Sequence, residues 1–190
     1  MKTIVFLADG FEECEALIVV DILRRAGIEV VMTSIMGRRK VLSSRKIAVL
    51  ADELLEDVSF DDADMVILPG GRRGMENLLT DATVREKCLE FSKNKYIAAI
   101  CASPTIFAEL GLLDGKKATC HPDFEDRLPE GVATGEKVTV SGNIITGQAL
   151  GATFEFAFEI VRTLLGEEPV EKIKKAICYG SGGAHGKRIL

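Results

Sequence analysis

A chain of 190 residues, 47% hydrophobic and 28% charged, can bury a full core and is most simply one domain. Its 24 basic against 29 acidic residues leave a net charge of −5, which gives no electrostatic footprint for nucleic acid or for an anionic membrane surface. The first apolar run, residues 4–8, is broken by Asp9, Glu12, Glu13 and Glu15; it is too short for a secretory core or a membrane span, so a cytoplasmic protein is expected. Five cysteines (Cys14, Cys88, Cys101, Cys120, Cys178), odd in number and without a C-x-x-C pair, argue against a disulfide framework or a closed zinc site.

In chain order, residues 2–8 read as a buried strand, 9–12 as a turn, 13–26 as a helix ended by Gly27, and 28–35 as a second strand. Strand, helix and strand with continuous apolar strands are the pattern of a parallel sheet covered on both faces. The helix is apolar through Ala16, Leu17, Ile18, Val19 and Val20, more than one full turn, so a second side is expected to pack on something besides its own sheet. That cover is either a partner subunit in a homodimer, the economical reading, or another element of the same chain.

Residues 37–40 form a basic turn, 41–43 and 47–50 are short strands around Ser44-Arg45, and 51–59 are polar and irregular. Residues 65–68 make another buried strand closed by Pro69-Gly70-Gly71, and a helix is predicted over about 83–92. Residues 97–100 then run as a buried strand into Cys101, after which Ser103-Pro104 supplies an N-cap and a proline at the first helical position. Cys101 sits in the turn. A thiol there would face unpaired N–H groups and the positive end of the macrodipole, both of which favour the nucleophilic thiolate. The competing reading is a small core residue that ends a strand.

Residues 117–119, 131–134, 137–140 and 144–146 read as short strands, with a loop starting at Cys120-His121-Pro122. The clearest helix covers 152–165, with Phe154, Phe158, Val161 and Leu165 as its core stripe and Glu155, Glu159 and Arg162 opposite. A last helix, 170–177, leads to a glycine-rich tail. The tail faintly resembles a phosphate loop, but Ser181 holds the first glycine position and Arg188 replaces Ser/Thr, so a flexible segment is expected over 180–190, His185 included. The expected domain is residues 1–179.

Three stretches together resemble the ThiJ/PfpI superfamily: Ala8-Asp9-Gly10-Phe11-Glu12-Glu13-Cys14-Glu15, Ile67-Leu68-Pro69-Gly70-Gly71, and Ala98-Ala99-Ile100-Cys101-Ala102-Ser103-Pro104 with His121-Pro122 downstream. Within it, residues 2–166 are most similar to the branch of the Parkinsonism-associated protein DJ-one. The resemblance implies a flavodoxin-like three-layer α/β sandwich with a mostly parallel central sheet, a cysteine nucleophile elbow, and a homodimer. It implies Cys101 as the reactive cysteine, Glu15 as the carboxylate beside its sulfur, and His121 as a nearby histidine able to shuttle protons. Gly70, Gly71 and Ala102 would bring backbone amides to an oxyanion, and Arg25 and Arg45 would lie near the site as anion contacts or as contacts at a dimer interface. No cofactor, metal or nucleotide is implied.

Elementary electrostatics adds a condition. A charged carboxylate beside a thiolate would raise the thiol pKa, so a functional Glu15 should hold the proton and donate to sulfur. Without the resemblance Glu15 reads as a solvated acid at a helix start. Gly70-Gly71 has its own plainer reading as a tight turn, and His121 as a structural histidine. Two departures bear on activity. Ala102 follows the cysteine where protease-like members place histidine, which removes the adjacent base of a Cys-His pair. The Arg-Gly-Pro-Gly-Thr segment of the closest branch stands here as Gly147-Gln148-Ala149-Leu150-Gly151-Ala152-Thr153, so a different pocket wall is expected there.

The resemblance implies a glyoxalase- or deglycase-type enzyme that takes a small aldehyde such as methylglyoxal, or its glycated adduct, to a 2-hydroxy acid. Two rivals stay open. One is a redox sensor or stress-protective chaperone that works by oxidation of Cys101. The other is a hydrolase or hydratase of a small nitrogen compound at the same elbow.

Overall fold

The computed structural model describes residues 1–180; the predicted tail and His185 lie outside the described residues, apart from Gly180. The chain begins with β1 (Lys2–Leu7), α1 (Glu13–Arg25), β2 (Glu29–Ser34), an antiparallel hairpin of β3 (Lys40–Leu42) and β4 (Ala48–Leu50), and the short β5 (Glu53–Leu54). It continues with β6 (Met65–Leu68), α2 (Arg72–Thr80), α3 (Ala82–Asn94), β7 (Tyr96–Ile100) and α4 (Pro104–Glu109). It closes with β8 (Val138–Ser141), β9 (Ile144–Gly147), α5 (Thr153–Leu165) and α6 (Glu167–Ala176). No helix among the described residues is long and apolar enough to cross a membrane.

Seven strands form one sheet in the order β5-β2-β1-β6-β7-β9-β8, parallel except for β8. Side chains alternate across it. Val5, Leu7, Ile67, Ala98, Ile100 and Ile145 join the core under α1, α5 and α6, whereas Ile4, Phe6, Val66, Leu68, Ile97, Ala99 and Ile144 join the core under α2, α3 and α4. Both faces are therefore dry, which is why the central strands read as unbroken apolar runs. After β1 the chain crosses to β2 on one side and later returns as β6 on the other. The strand order reverses between β1 and β6, and the loops leaving the carboxyl ends of β1, β6 and β7 open onto the crevice where such sheets bind ligands.

Helix ends follow local chemistry. The Glu12 carboxylate caps α1 by accepting from the Glu15 N–H at 2.7 Å, and Gly27 (φ +79°) ends it in the left-handed region. Asp81 caps α3 through the Val84 N–H at 3.0 Å. Several features depart from the sequence reading, among them β5, which adds Glu53 and Leu54 to the sheet edge within a stretch expected to be irregular. Helix α2 was not predicted, because it is only nine residues long and mostly polar, with Gly74, Met75 and Leu78 as its one buried stripe, too few apolar positions for a helical period to stand out in the sequence. Gly74 is fixed by packing, since a Cβ there would lie 2.7 Å from Phe11 Cα. Of the predicted strands at 117–119 and 131–134 only one isolated bridge forms, Ala118 to Ala133, between glycines that break any longer run.

On α5 the core stripe is wider and rotated. Phe156, Ala157, Phe158, Ile160, Val161 and Leu164 are buried, because the helix lies on the sheet and also packs on α1 and α6, while Phe154 (36%) and Leu165 (38%) stay exposed. Phe154 instead stacks on Phe158 and Tyr179, with ring centroids 6.3 and 5.6 Å away. The second covered side of α1 is covered, at least in part, by α5 of the same chain, which leaves Leu17 exposed and Ile18 half-buried.

Candidate active site

Cys101 follows directly on β7, and its backbone stands at φ +65°, a left-handed conformation that a non-glycine residue keeps only when the surroundings fix it. Both of its backbone groups are pinned. Its N–H donates to the Gly147 carbonyl at 3.0 Å, and its carbonyl accepts from the His121 N–H at 2.9 Å. Ser103 adds a third tether. Its hydroxyl was expected to cap α4 but makes no cap bond, and donates at 2.6 Å to the carbonyl of Pro69, tying the elbow to the loop after β6.

Glu15, on the first turn of α1, is 1% exposed and points at the same spot. Its Oε2 accepts from the Gly70 N–H at 3.0 Å; the carboxyl also meets the Leu150 N–H and hydrogen-bonds with the Cys101 thiol. The N–H groups of Gly71 and Ala102 donate to the sulfur. Gly70 has no room for a side chain. A Cβ there would lie 2.4 Å from both Cys101 Cβ and Glu15 Oε2, and one on Gly71 (φ +91°) would lie 2.3 Å from the Gly10 carbonyl oxygen. Gly70→Ala is expected to force Cys101 and Glu15 apart, destabilising the protein by about 1–3 kcal/mol and removing thiol reactivity; urea titration and alkylation rates check both.

Burial pushes the Glu15 carboxyl up to about 7, against the opposing hydrogen bonds from Cys101, Gly70 and Leu150, so that it holds a proton far above the usual carboxylate range. Burial, and then the negative charge of Glu15, push the Cys101 thiol up to about 12, although the Gly71 and Ala102 amides pull the other way. This corrects the expectation that unpaired N–H groups and the helix dipole would ionise the thiol; α4 has only six residues, and burial, followed by the acid beside the sulfur, outweighs them. Between those two pH values the pair holds one proton and one negative charge, which belong to the pair rather than to either residue.

The half-buried Cys101 opens on a cavity of about 650 Å³. Gly71, Arg72 and Arg73 form one wall of it, and Ser43, Ser44, Arg45 and Lys46 of the β3–β4 loop form another. That loop is anchored on α1 and the turn before it, with the Ser44 N–H donating to the Phe11 carbonyl at 2.7 Å and its hydroxyl to Glu13 Oε2 at 3.2 Å. Of the sequence candidates, Cys101, Glu15, Gly70, Gly71, Ala102 and Arg45 come together. Two do not. His121 is at hand only through its backbone; its ring does not line the cavity, and its Nδ1 accepts from the Asp123 N–H at 3.2 Å. Arg25 sits at the far end of α1, about 15 Å along the axis from Glu15, and pairs with Asp21 at 2.7 Å.

Sequence reasoning missed Lys46, Arg72 and Arg73, whose signal was their place beside Arg45 and directly after Gly70-Gly71. It also missed what segment 147–153 does. Gly147 and Leu150 hold the elbow and the acid through backbone groups, which the altered side chains leave in place.

A model of the DJ-1/PfpI family matches residues 1–163. The chain belongs to that family. It is 37% identical over 180 residues to protein dj-1beta of Drosophila melanogaster, covering 93% of this chain and 96% of that one. It is 31% identical over 170 residues to the glutathione-independent glyoxalase DJR-1.2 of Caenorhabditis elegans, covering 88% and 90%. The solved structure of oxidized Toxoplasma gondii DJ-1 superposes with a TM-score of 0.91 at 35% identity, covering 94% of this chain and 98% of that one. As a DJ-1/PfpI member the chain has the mostly parallel sheet flanked by helices that the resemblance implied.

Proposed function

We propose that this protein is a cofactor-independent cysteine enzyme acting on small reactive carbonyls, of the glyoxalase or deglycase type. One observation carries the reading: Cys101 lines an open cavity and is backed by a buried, proton-holding Glu15, with two amides on the sulfur. A DJ-1/PfpI relative named a glyoxalase supports the same class.

In the reactive tautomer Glu15 holds the shared proton and Cys101 is the thiolate. Sulfur adds to the aldehyde carbon of methylglyoxal, and the C=O electrons move to oxygen. The Gly71 and Ala102 N–H groups steady the oxygen as charge leaves sulfur, and Glu15 gives it the proton. The Glu15 carboxylate then takes the hydrogen from the former aldehyde carbon as a proton and returns it to the adjacent carbon, while the proton on the first oxygen passes to the second. The first carbon is oxidised and the second reduced, which leaves a lactoyl thioester. Water cleaves it, releasing lactate and the free thiol. A glycated adduct first releases its amine or thiol, which restores the aldehyde C=O, and the same steps then follow.

Methylglyoxal mixed with pure protein without glutathione, followed by proton NMR, should yield lactate. No lactate, together with ready conversion of Cys101 to sulfinate by mild peroxide, would move the function to redox sensing, for which the same carboxyl and amides would hold the oxidised sulfur. The homodimer reading places a second copy on the α1 face that carries exposed Leu17 and Arg25; light scattering on the purified protein checks it.

A further inference from the structure

Methylglyoxal is neutral and leaves most of this cavity's charge unused. Arg45, Lys46, Arg72 and Arg73 all line it, and none makes an ion pair among the described residues. Its two carboxylates are already occupied. Asp9 is held by Arg38 at 2.6 Å and by the Leu42 N–H at 2.9 Å, with the charge of Arg73 nearby, and Glu12 caps α1. A chain with a net charge of −5 thus gathers four cations without ion-pair partners in the cavity that Cys101 lines.

Their placement is not explained by local stability. Arg72 and Arg73 open α2, whose first turn has no acidic residue and whose Gly71 cap makes no side-chain bond, so they add positive charge where the helix is already positive. The Arg72 guanidinium lies over the Phe124 ring, 4.8 Å from its centroid, which orients the group while leaving its edge donors free. Arg45 and Lys46 stand on the anchored β3–β4 loop, in the other wall.

We propose that the substrate of this site carries an anionic group, a carboxylate or a phosphate ester, besides its reactive carbonyl, and that these four cations receive it. This rests on Cys101 being the reacting group and narrows the substrate class beyond neutral dicarbonyls. The test compares alkylation of Cys101 by iodoacetate and iodoacetamide in the full chain, followed by mass spectrometry. In both reagents sulfur bonds to the CH₂ carbon as iodide leaves, so changes in thiol ionisation cancel in the ratio of rates.

The ratio of iodoacetate to iodoacetamide should exceed that of 2-mercaptoethanol about five-fold at low salt, the effect of two net charges some 8 Å away in water, and should collapse at about 0.5 M salt. Each double variant, Arg72→Gln/Arg73→Gln and Arg45→Gln/Lys46→Gln, should at least halve it. Whichever of inorganic phosphate and acetate protects Cys101 at the lower concentration identifies the anion. A ratio equal to the free thiol's and indifferent to both double variants overturns the inference, even if methylglyoxal is turned over. A raised ratio without lactate production upholds it and removes the proposed reaction instead. Failure of both reagents to label Cys101 removes both.

Discussion

Cys101→Ser is expected to lower kcat/KM for methylglyoxal by at least about 10³-fold, because a hydroxyl beside a carboxyl acid has no base strong enough to ionise it. The fold should not notice. Serine adopts φ +65° no less readily than cysteine, the backbone bonds to Gly147 and His121 persist, and the cavity opens rather than fills. The thermal midpoint should therefore move by less than about 2 °C while lactate formation disappears from the NMR trace. Turnover that survives the change would place the reaction on some other group.

Glu15→Gln should act on both activity and stability, with opposite signs. Removing the proton relay should cost about 10²–10⁴-fold in kcat. The stability effect follows from the raised pKa. Since burial lifts the carboxyl from 4.5 to about 7, the folded state binds a proton that the unfolded state has already released. The favourable contribution is complete below about pH 4.5 and lost as pH rises through 7, a swing of about 3 kcal/mol. Glutamine is neutral at every pH and keeps the amide oxygen that accepts from Gly70. Urea midpoints for the wild type should fall from pH 5 to pH 8, and those of the variant should stay level. Equal pH profiles would mean that Glu15 is charged in the folded state and the shared-proton mechanism is wrong.

These expectations depend on a meeting of residues that local sequence describes unevenly. The strand leading to Cys101 and the sharp turn after it were readable from Ile97 to Pro104, since a doubly buried strand is a run of apolar residues and Ser-Pro announces a helix. The acid was not. Glu15 is one of three glutamates within four residues, and nothing local separates it from Glu12, which caps the helix, or Glu13, which binds Ser44. Family resemblance selected it, and burial explains the choice. For His121 the resemblance pointed to the right neighbourhood but the ring turned out to be occupied with Asp123.

Composition and pattern by themselves determined an α/β chain with a parallel sheet dry on both faces, a cysteine at a strand-to-helix bend, and a glycine pair after another strand, because periodicity and turn chemistry are local properties. Tertiary structure decided which glutamate lies under the sulfur, that Gly70 must be bare to admit both, and that Arg72 and Arg73 face Arg45 and Lys46 across one opening. Those facts depend on where β1, β6 and β7 end relative to one another, and strand order is set by packing between elements far apart in the chain rather than by any stretch within it.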